Sequence, residues 1–301
     1  MWYLGYGEGL VWPGRVGSAV SSNGVTWEKH AGSVLSPGQE GAWDSFSVSP
    51  GSVIWNGSRF MMWYRGLGPR FEFGAFGVAL SSDGISWTKY LGNPVFPDSS
   101  GGMRVLDYPS VLLDQGTYNM WYTSQAASDD LYAVFYATSK DGIRWTARSR
   151  PVLEAGIDAW DSLGVYNPTV ISDRSSYSLW YSSHPGIGYA ISKDGLLWTK
   201  SNDNPILSRG PPGSWDRYSI GNQGVLAFDD TILLYYSAGR SLVPTEANSS
   251  IGLARPPSND ALSGMTSFAF DLLFAALVLV CVLGATFHYR RASAGRSRYS
   301  S

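Results

Sequence analysis

An all-β fold is predicted: a five-bladed β-propeller with incomplete first and last blades, followed by one C-terminal transmembrane α-helix. Three observations carry this reading. A unit of the form Ser-x-Asp/Asn-Gly-x-x-Trp occurs four times, at Ser21–Trp27, Ser81–Trp87, Ser139–Trp145 and Ser192–Trp198. Its tryptophans lie 60, 58 and 53 residues apart, and such a period, built from strands and turns, marks a radial or solenoid array. Between the copies, strand-length apolar runs alternate with turn residues, and no helix-period pattern precedes residue 260. Beyond it, Phe268–Phe287 is a predominantly apolar stretch with one charge.

Each unit reads strand by strand. The first strand is Val48–Ile54, and it recurs as Asp107–Leu113, Asn167–Ile171 and Asn222–Leu226. A polar turn follows, at Asn56-Gly57, Gln115-Gly116 or Asp229-Asp230. The second strand is aromatic: Met61–Tyr64, Asn119–Tyr122, Ser178–Tyr181 and Leu233–Tyr236. A loop of variable length leads to the third, at Gly77–Leu80, Phe135–Ala137, Gly188–Ile191 and Ile251–Ala254. The Asp-Gly or Asn-Gly pair then reverses the chain into the Trp strand, because a tight hairpin turn needs φ > 0 at both central residues. Four antiparallel strands make one propeller blade.

Residues 43–99, 105–156 and 160–210 are full units, whereas 215–255 has three strands and no Trp strand. Met1-Trp2-Tyr3 matches Met62-Trp63-Tyr64, so the first blade is expected to lack its inner strand. With no signal peptide visible either, the propeller, residues 1–255, reads as N-terminally truncated.

Composition fits a packed all-β domain: aromatics are 14%, with 13 Trp, and charged residues only 15%. A net charge of −2 argues against a nucleic-acid partner. The one cysteine, Cys281, lies in the C-terminal apolar stretch, which excludes disulfides, a thiolate nucleophile or a cysteine metal site in the propeller. No cofactor and no metal are expected. The sequons Asn56-Gly-Ser58 and Asn248-Ser-Ser250 suit a surface location.

The stretch 268–287 holds one charge, Asp271, and its 20 residues reach about 30 Å as a helix. A linker, 256–267, precedes it. The tail, 288–301, carries Arg290, Arg291, Arg296 and Arg298 with no acidic residue. The positive-inside rule then puts the C-terminus in the cytoplasm and the propeller outside, on a single-pass protein of the cell membrane whose lipid bilayer is a partner.

Long, variable loops at 65–75, 123–131, 182–187 and 237–249 fall on one propeller face, and the short repeated turns on the other. Binding residues belong to the loop face. Asp83, Asp141 and Asp194, repeated with the turn, are therefore structural. The dipeptides Trp43-Asp44, Trp160-Asp161 and Trp215-Asp216 read the same way, as packing and turn devices. What differs between blades is more telling. Where the inner strands begin stand Val48-Ser49, Asp107-Tyr108, Tyr166-Asn167 and Gly221-Asn222. Asp107 is the one carboxylate among them and the candidate catalytic residue. Tyr108, Tyr166, Asn167 and Asn222 ring the same channel mouth, with His184 in a nearby loop. Such a ring suits sugar hydroxyls, which need donors and acceptors beside an apolar face.

The pattern Pro-x-Val-Ile, Met-Trp-Tyr, Gly-x-Ala-x-Ser-x-Asp-Gly-x-x-Trp-x-Lys and Asn-Pro-Val resembles the five-bladed glycosidase-like superfamily. That group holds arabinanases and β-xylosidases of glycoside hydrolase family 43, invertases, levansucrases and mannoside phosphorylases. The resemblance covers residues 1–255, with Asn93-Pro94-Val95 and Asn204-Pro205-Ile206 closing two blades. The turn unit is also similar to the Asp-box of sialidases, where it is a structural turn. The resemblance implies an extracellular glycan or oligosaccharide as partner. The family 43 pattern implies an Asp on the first inner strand, an Asp on the second and a Glu on the third. Here the second carries Ser47 and Ser49, the third Asp107, and no inner strand has a Glu.

Glycoside hydrolysis uses two carboxylates. A phosphorylase needs one plus cations for phosphate, for which Arg65, Arg104 and Arg217 are available. Two classes stay open: a membrane-anchored glycoside hydrolase or phosphorylase, and a non-catalytic surface propeller for carbohydrate or protein interaction.

Overall fold

The computed structural model describes residues 1–6, 13–69, 71–96, 105–125, 131–157, 159–173, 175–228, 231–239, 249–255 and 280–284. Five sheets stand around one axis. The first holds β1 (Trp2–Gly5), β2 (Arg15–Val20) and β3 (Glu28–Lys29). The second is β4 (Ser47–Trp55), β5 (Phe60–Gly68), β6 (Phe71–Ser81) and β7 (Thr88–Lys89). The third is β8 (Asp107–Asp114), β9 (Thr117–Gln125), β10 (Tyr132–Ser139) and β11 (Trp145–Ala147). The fourth is β12 (Tyr166–Ser172), β13 (Tyr177–Ser183), β14 (Gly186–Ser192) and β15 (Thr199–Lys200), with β16 (Leu207–Ser208) also paired to β14. The fifth is β17 (Ser219–Phe228), β18 (Thr231–Gly239) and β19 (Ser249–Ala254), with no fourth strand among the described residues, as the sequence predicts.

The first blade departs from expectation. Its inner position is filled by β20 (Val280–Gly284), parallel to β1 with Trp2 opposite Val280 and Leu4 opposite Gly284. The inner edge of β1 would otherwise present unpaired N–H and C=O groups to the channel. These five residues fall inside the segment read as a membrane span. The rest of 268–287, the linker and the basic tail lie outside the described residues, as do Asp229, Asp230 and Asn248. Among the described residues no helix is long and apolar enough to cross a membrane.

Blade packing repeats with the sequence. In blades 1 to 3 the Trp of the second strand reaches into the Asp-Gly turn of the next blade. Trp2 Nε1 donates to Gly84 O at 2.9 Å, Trp63 Nε1 to Gly142 O at 2.9 Å and Trp121 Nε1 to Gly195 O at 2.8 Å. The same carbonyls accept from the turn's own tryptophans, Trp87, Trp145 and Trp198. The paired indoles meet edge to face, their planes 80–85° apart. Blade 5 closes on blade 1 with a phenol: Tyr235 donates to Gly24 O, and its ring meets Trp27 at 79°. Glycine is required in the turn, since φ is 74° at Gly142 and a Cβ there would lie 2.8 Å from the Trp63 ring.

Inside the turn an oxygen of Asp83, Asp141 or Asp194 accepts two backbone N–H groups, and Asn23 Oδ1 does the same in blade 1. Those bonds hold the Asp141 carboxyl down at about 2 and push Asp83 and Asp194 below their usual range. An amide does the job as well as a carboxylate, so the charge is not what the turn needs.

Around the axis, hydroxyls bind the inner strands to one another. Ser52 Oγ accepts the Val111 N–H at 2.6 Å, Ser110 Oγ accepts that of Val170 at 3.0 Å, and Thr169 Oγ1 donates to Gln223 O at 2.7 Å.

Two outcomes follow for stability. Trp121→Phe should keep the ring contact and lose one of the two donors to Gly195 O, costing about 1–2 kcal/mol in denaturant unfolding; no loss would remove the indole bond from the account. Asp141 titrates lower folded than unfolded, so its contribution is complete above about pH 4 and disappears as pH falls towards 2. Asp141→Asn should flatten that part of the acid-unfolding curve with little change at pH 7, and an equally steep acid limb in the variant would contradict the assignment.

Candidate functional site

The first residues of the inner strands do not run as regular β. The β-ladder shifts between Asp107 and Ser110, Tyr166 and Thr169, and Gly221 and Gly224. At each shift one residue is left-handed: Tyr108 at φ 49°, Asn167 at 54° and Asn222 at 47°. Asparagine tolerates this region, whereas tyrosine adopts it at a cost of order 1–3 kcal/mol. Three residues named from sequence therefore share one bulge position around the axis.

A first group forms where blades 2 and 3 meet. Asp107 Oδ1 accepts the Tyr108 N–H at 2.9 Å and lies 3.5 Å from Arg65 Nε, which donates to Leu106 O at 3.0 Å. The Arg65 and Asp107 side chains are about one-fifth exposed. Burial raises the Asp107 carboxyl above its ordinary range, opposed in part by Arg65 and the Tyr108 N–H. Burial also raises Tyr108, with Asp107 adding to the effect, and Arg65, Tyr6 and Tyr166 lie within its electrostatic reach. The Tyr166 ring stands edge-on to Tyr132 at 6.0 Å, and burial raises its hydroxyl too.

The second group spans blades 4 and 5. Asn167 Nδ2 donates to Asn222 Oδ1 at 2.5 Å, and Asn222 Nδ2 to Ser237 Oγ at 3.1 Å. Beside them Gln223 Oε1 accepts from Ser182 Oγ at 2.7 Å, while its Nε2 donates to Asn167 O and to Trp180 O. Thr123 joins the two groups: it pairs with Asp107 in the ladder, and its Oγ1 accepts the Asn167 N–H at 2.8 Å. A cavity of about 30 Å³ between them is lined by Ser52, Tyr108, Ser110, Asn167, Thr169 and Gln223, among others.

His184 stands apart. Its Nε2 is 3.2 Å from Arg209 Nη1, Arg209 donates to Tyr218 O, and Arg217 stacks on the Tyr218 ring at 4.9 Å. None of these interactions reaches Asp107. Arg104 lies outside the described residues. Of the three cations considered, Arg65 is the one placed beside Asp107. Sequence reasoning passed over Tyr6, Tyr132 and Gln223. Only Gln223 left a signal, standing where the other inner strands have Pro50, Pro109 and Pro168.

The Trp-Asp dipeptides are structural. Asp44 Oδ2 accepts from Tyr64 at 3.1 Å and Lys89 at 2.6 Å, and Asp161 Oδ2 from Tyr181 at 3.1 Å and Lys200 at 2.5 Å. Trp43, Trp160 and Trp215 each pack on the tyrosine of their own blade. Among the described residues no group of three or more His, Cys, Asp or Glu is placed to hold a metal ion.

No family model matches the chain. A 1,2-β-oligomannan phosphorylase of Thermoanaerobacter sp. (strain X514) is 30% identical over 216 residues, 68% of this chain and 69% of that protein. Two uncharacterized proteins of Mycobacterium tuberculosis, from strains CDC 1551 and H37Rv, are each 29% identical over 195 residues, 61% of this chain. The chain spans 64% of the length of these two relatives. Among solved structures, a thermostable family-43 glycoside hydrolase superposes with a TM-score of 0.65 at 20% identity, covering 84% of this chain and 88% of that one. A structure from work on the family-130 mannoside phosphorylases, a family containing hydrolases that target β-1,2-mannosidic linkages in Candida mannan, gives 0.60 at 16%, covering 84% and 82%. These structures share the fold. By its identity and coverage with the Thermoanaerobacter enzyme, the chain belongs to the 1,2-β-oligomannan phosphorylase family.

Proposed function

We propose that this member of the 1,2-β-oligomannan phosphorylase family cleaves β-1,2-linked mannosides with inorganic phosphate. The supporting observation is the pairing of Asp107 with Arg65 at the loop end of the third inner strand. In this reading a phosphate oxygen bonds to the anomeric carbon as the glycosidic C–O bond breaks, and the leaving oxygen takes its proton from Asp107. Burial favours the protonated carboxyl that a general acid needs. Arg65 Nε is committed to Leu106 O and Asp107, and both Nη groups have no partner among the described residues, leaving them for an anion. One protein carboxylate suffices because phosphate supplies the nucleophile.

The assay is β-1,2-mannobiose with and without phosphate, scored for mannose 1-phosphate. Phosphate-dependent product is expected. Asp107→Asn should lower kcat by about 100- to 10,000-fold. Arg65→Met should raise the KM for phosphate. It also removes a charge that lowers the Asp107 pKa, so the alkaline limb of kcat/KM should move to higher pH. Free mannose formed regardless of phosphate would make the protein a hydrolase. Mannoside binding without turnover would support the non-catalytic propeller.

Anchoring in a membrane, with the propeller outside, is a separate part of the proposal. Its support is the apolar stretch 268–287 and the basic tail after it. Val280–Gly284 cannot both pair with β1 and lie in lipid. Alkaline carbonate extraction of cells should leave the protein in the membrane pellet; release into the supernatant would assign the segment to the blade.

A further inference from the structure

The geometry points to Asn167 as a specificity-determining residue that reads one sugar hydroxyl through its side-chain carbonyl, an assignment that rests on the glycan reading of the site. Asn167 is 6% exposed and lines the cavity on the axis. Which end of its amide faces that cavity follows from a chain of hydrogen bonds with one fixed end. Gly221 O is a backbone carbonyl and can only accept, so the Ser237 hydroxyl proton goes to it at 3.2 Å. Ser237 Oγ must then accept from Asn222, which places Asn222 Nδ2 on that side, at 3.1 Å. Asn222 Oδ1 is thereby turned towards Asn167 and takes a proton from its Nδ2. Asn167 Oδ1 is left over, with no partner among the described residues.

The other walls of the cavity have the opposite polarity. Ser52 Oγ and Ser110 Oγ each already accept a backbone N–H, from Val111 and Val170. Their protons have no acceptor among the described residues. The cavity thus offers one carbonyl acceptor and two hydroxyl donors. A hydroxyl group is the complement: one proton to give and two lone pairs to fill. At about 30 Å³ the cavity has room for a hydroxyl group. A phosphate would set its oxygens against Asn167 Oδ1. The site therefore divides its work, the anion on the Arg65 side and a neutral hydroxyl at Asn167.

A cycle of variant and ligand tests this by binding, without needing turnover. Asn167→Gly deletes the acceptor at a left-handed position that glycine adopts freely, and an unchanged melting temperature confirms the fold. Calorimetry with β-1,2-mannobiose and its monodeoxy derivatives should show about tenfold weaker binding of the parent to the variant. One deoxy derivative should bind the wild type equally weakly and lose nothing further in the variant. Phosphate affinity should not change. If every derivative loses as much in the variant as the parent does, the cavity holds only water and the assignment is overturned. If another saccharide binds in place of the mannoside with the same coupling, the assignment stands and the mannoside reading falls. If the wild type binds no saccharide, both fall. Should the variant not fold, the deoxy series on the wild type decides alone: one derivative must lose about tenfold, and uniform affinity across the series overturns the assignment.

Discussion

The propeller depends on a carbonyl shared between two blades. Gly84, Gly142 and Gly195 each offer one backbone oxygen, and each takes one indole N–H from its own blade and one from the blade before. A made bond of this kind adds about 1 kcal/mol, and a buried donor left unmade costs about 1–3 kcal/mol. The edge-to-face indole pair adds about 0.5–1.5 kcal/mol beyond its burial. The arrangement sets the orientation of each blade relative to the next, because the carbonyl direction is fixed by the left-handed turn glycine. Tyr235 reaching Gly24 closes the circle with a phenol in place of the indole, beside the packing of Met1 and Trp27 on Leu226 and Leu233.

One junction lacks this device. Blade 5 has no Asp-Gly turn among the described residues, so Trp180 finds no carbonyl of that kind, and the blade 4–5 contact is held from the axis instead. Gln223 supplies it, binding Ser182, Asn167 O, Trp180 O and, through its own carbonyl, Thr169. A proline at this place, as in the other inner strands, could make none of the side-chain bonds. Moving the lock from the outer turn to the axis concentrates amides on one side of the channel. Asn167 and Asn222 stand beside them, turned by the same bulge that would otherwise leave a regular strand.

Much of this was legible because repetition separates scaffold from site. The Ser-x-Asp-Gly-x-x-Trp unit announced the turn, the repeat and the structural role of its aspartates; that the charge is dispensable emerges only from the bonds Asn23 makes in the same place. The Trp-Asp dipeptides were legible for the same reason. The partner of Asp107 was not: Arg65 lies 42 residues earlier in the chain, and nothing in the spacing distinguishes it from Arg104 or Arg217. Nor was the setting of His184 legible, because loop membership fixes the face of the propeller but not the radius: Arg209 stands between its ring and Tyr218 O. The strand Val280–Gly284 beside β1 was illegible for another reason, since Val-Cys-Val-Leu-Gly suits a strand and a membrane helix equally well.

The candidate site is asymmetric because the repeat breaks asymmetrically. Between blades 2 and 3 the break is a charge, Asp107 with Arg65, both largely buried, where the low dielectric magnifies any interaction with an anion. Between blades 4 and 5 it is a set of neutral amides and hydroxyls. Thr123 ties the two halves, pairing with Asp107 in the ladder while holding the Asn167 N–H. A shift of β9 would therefore displace the acid and the amide together, keeping their separation constant. For a reaction that brings a charged nucleophile and a neutral sugar to one bond, a fixed separation of the two recognition groups is worth more than the strength of either.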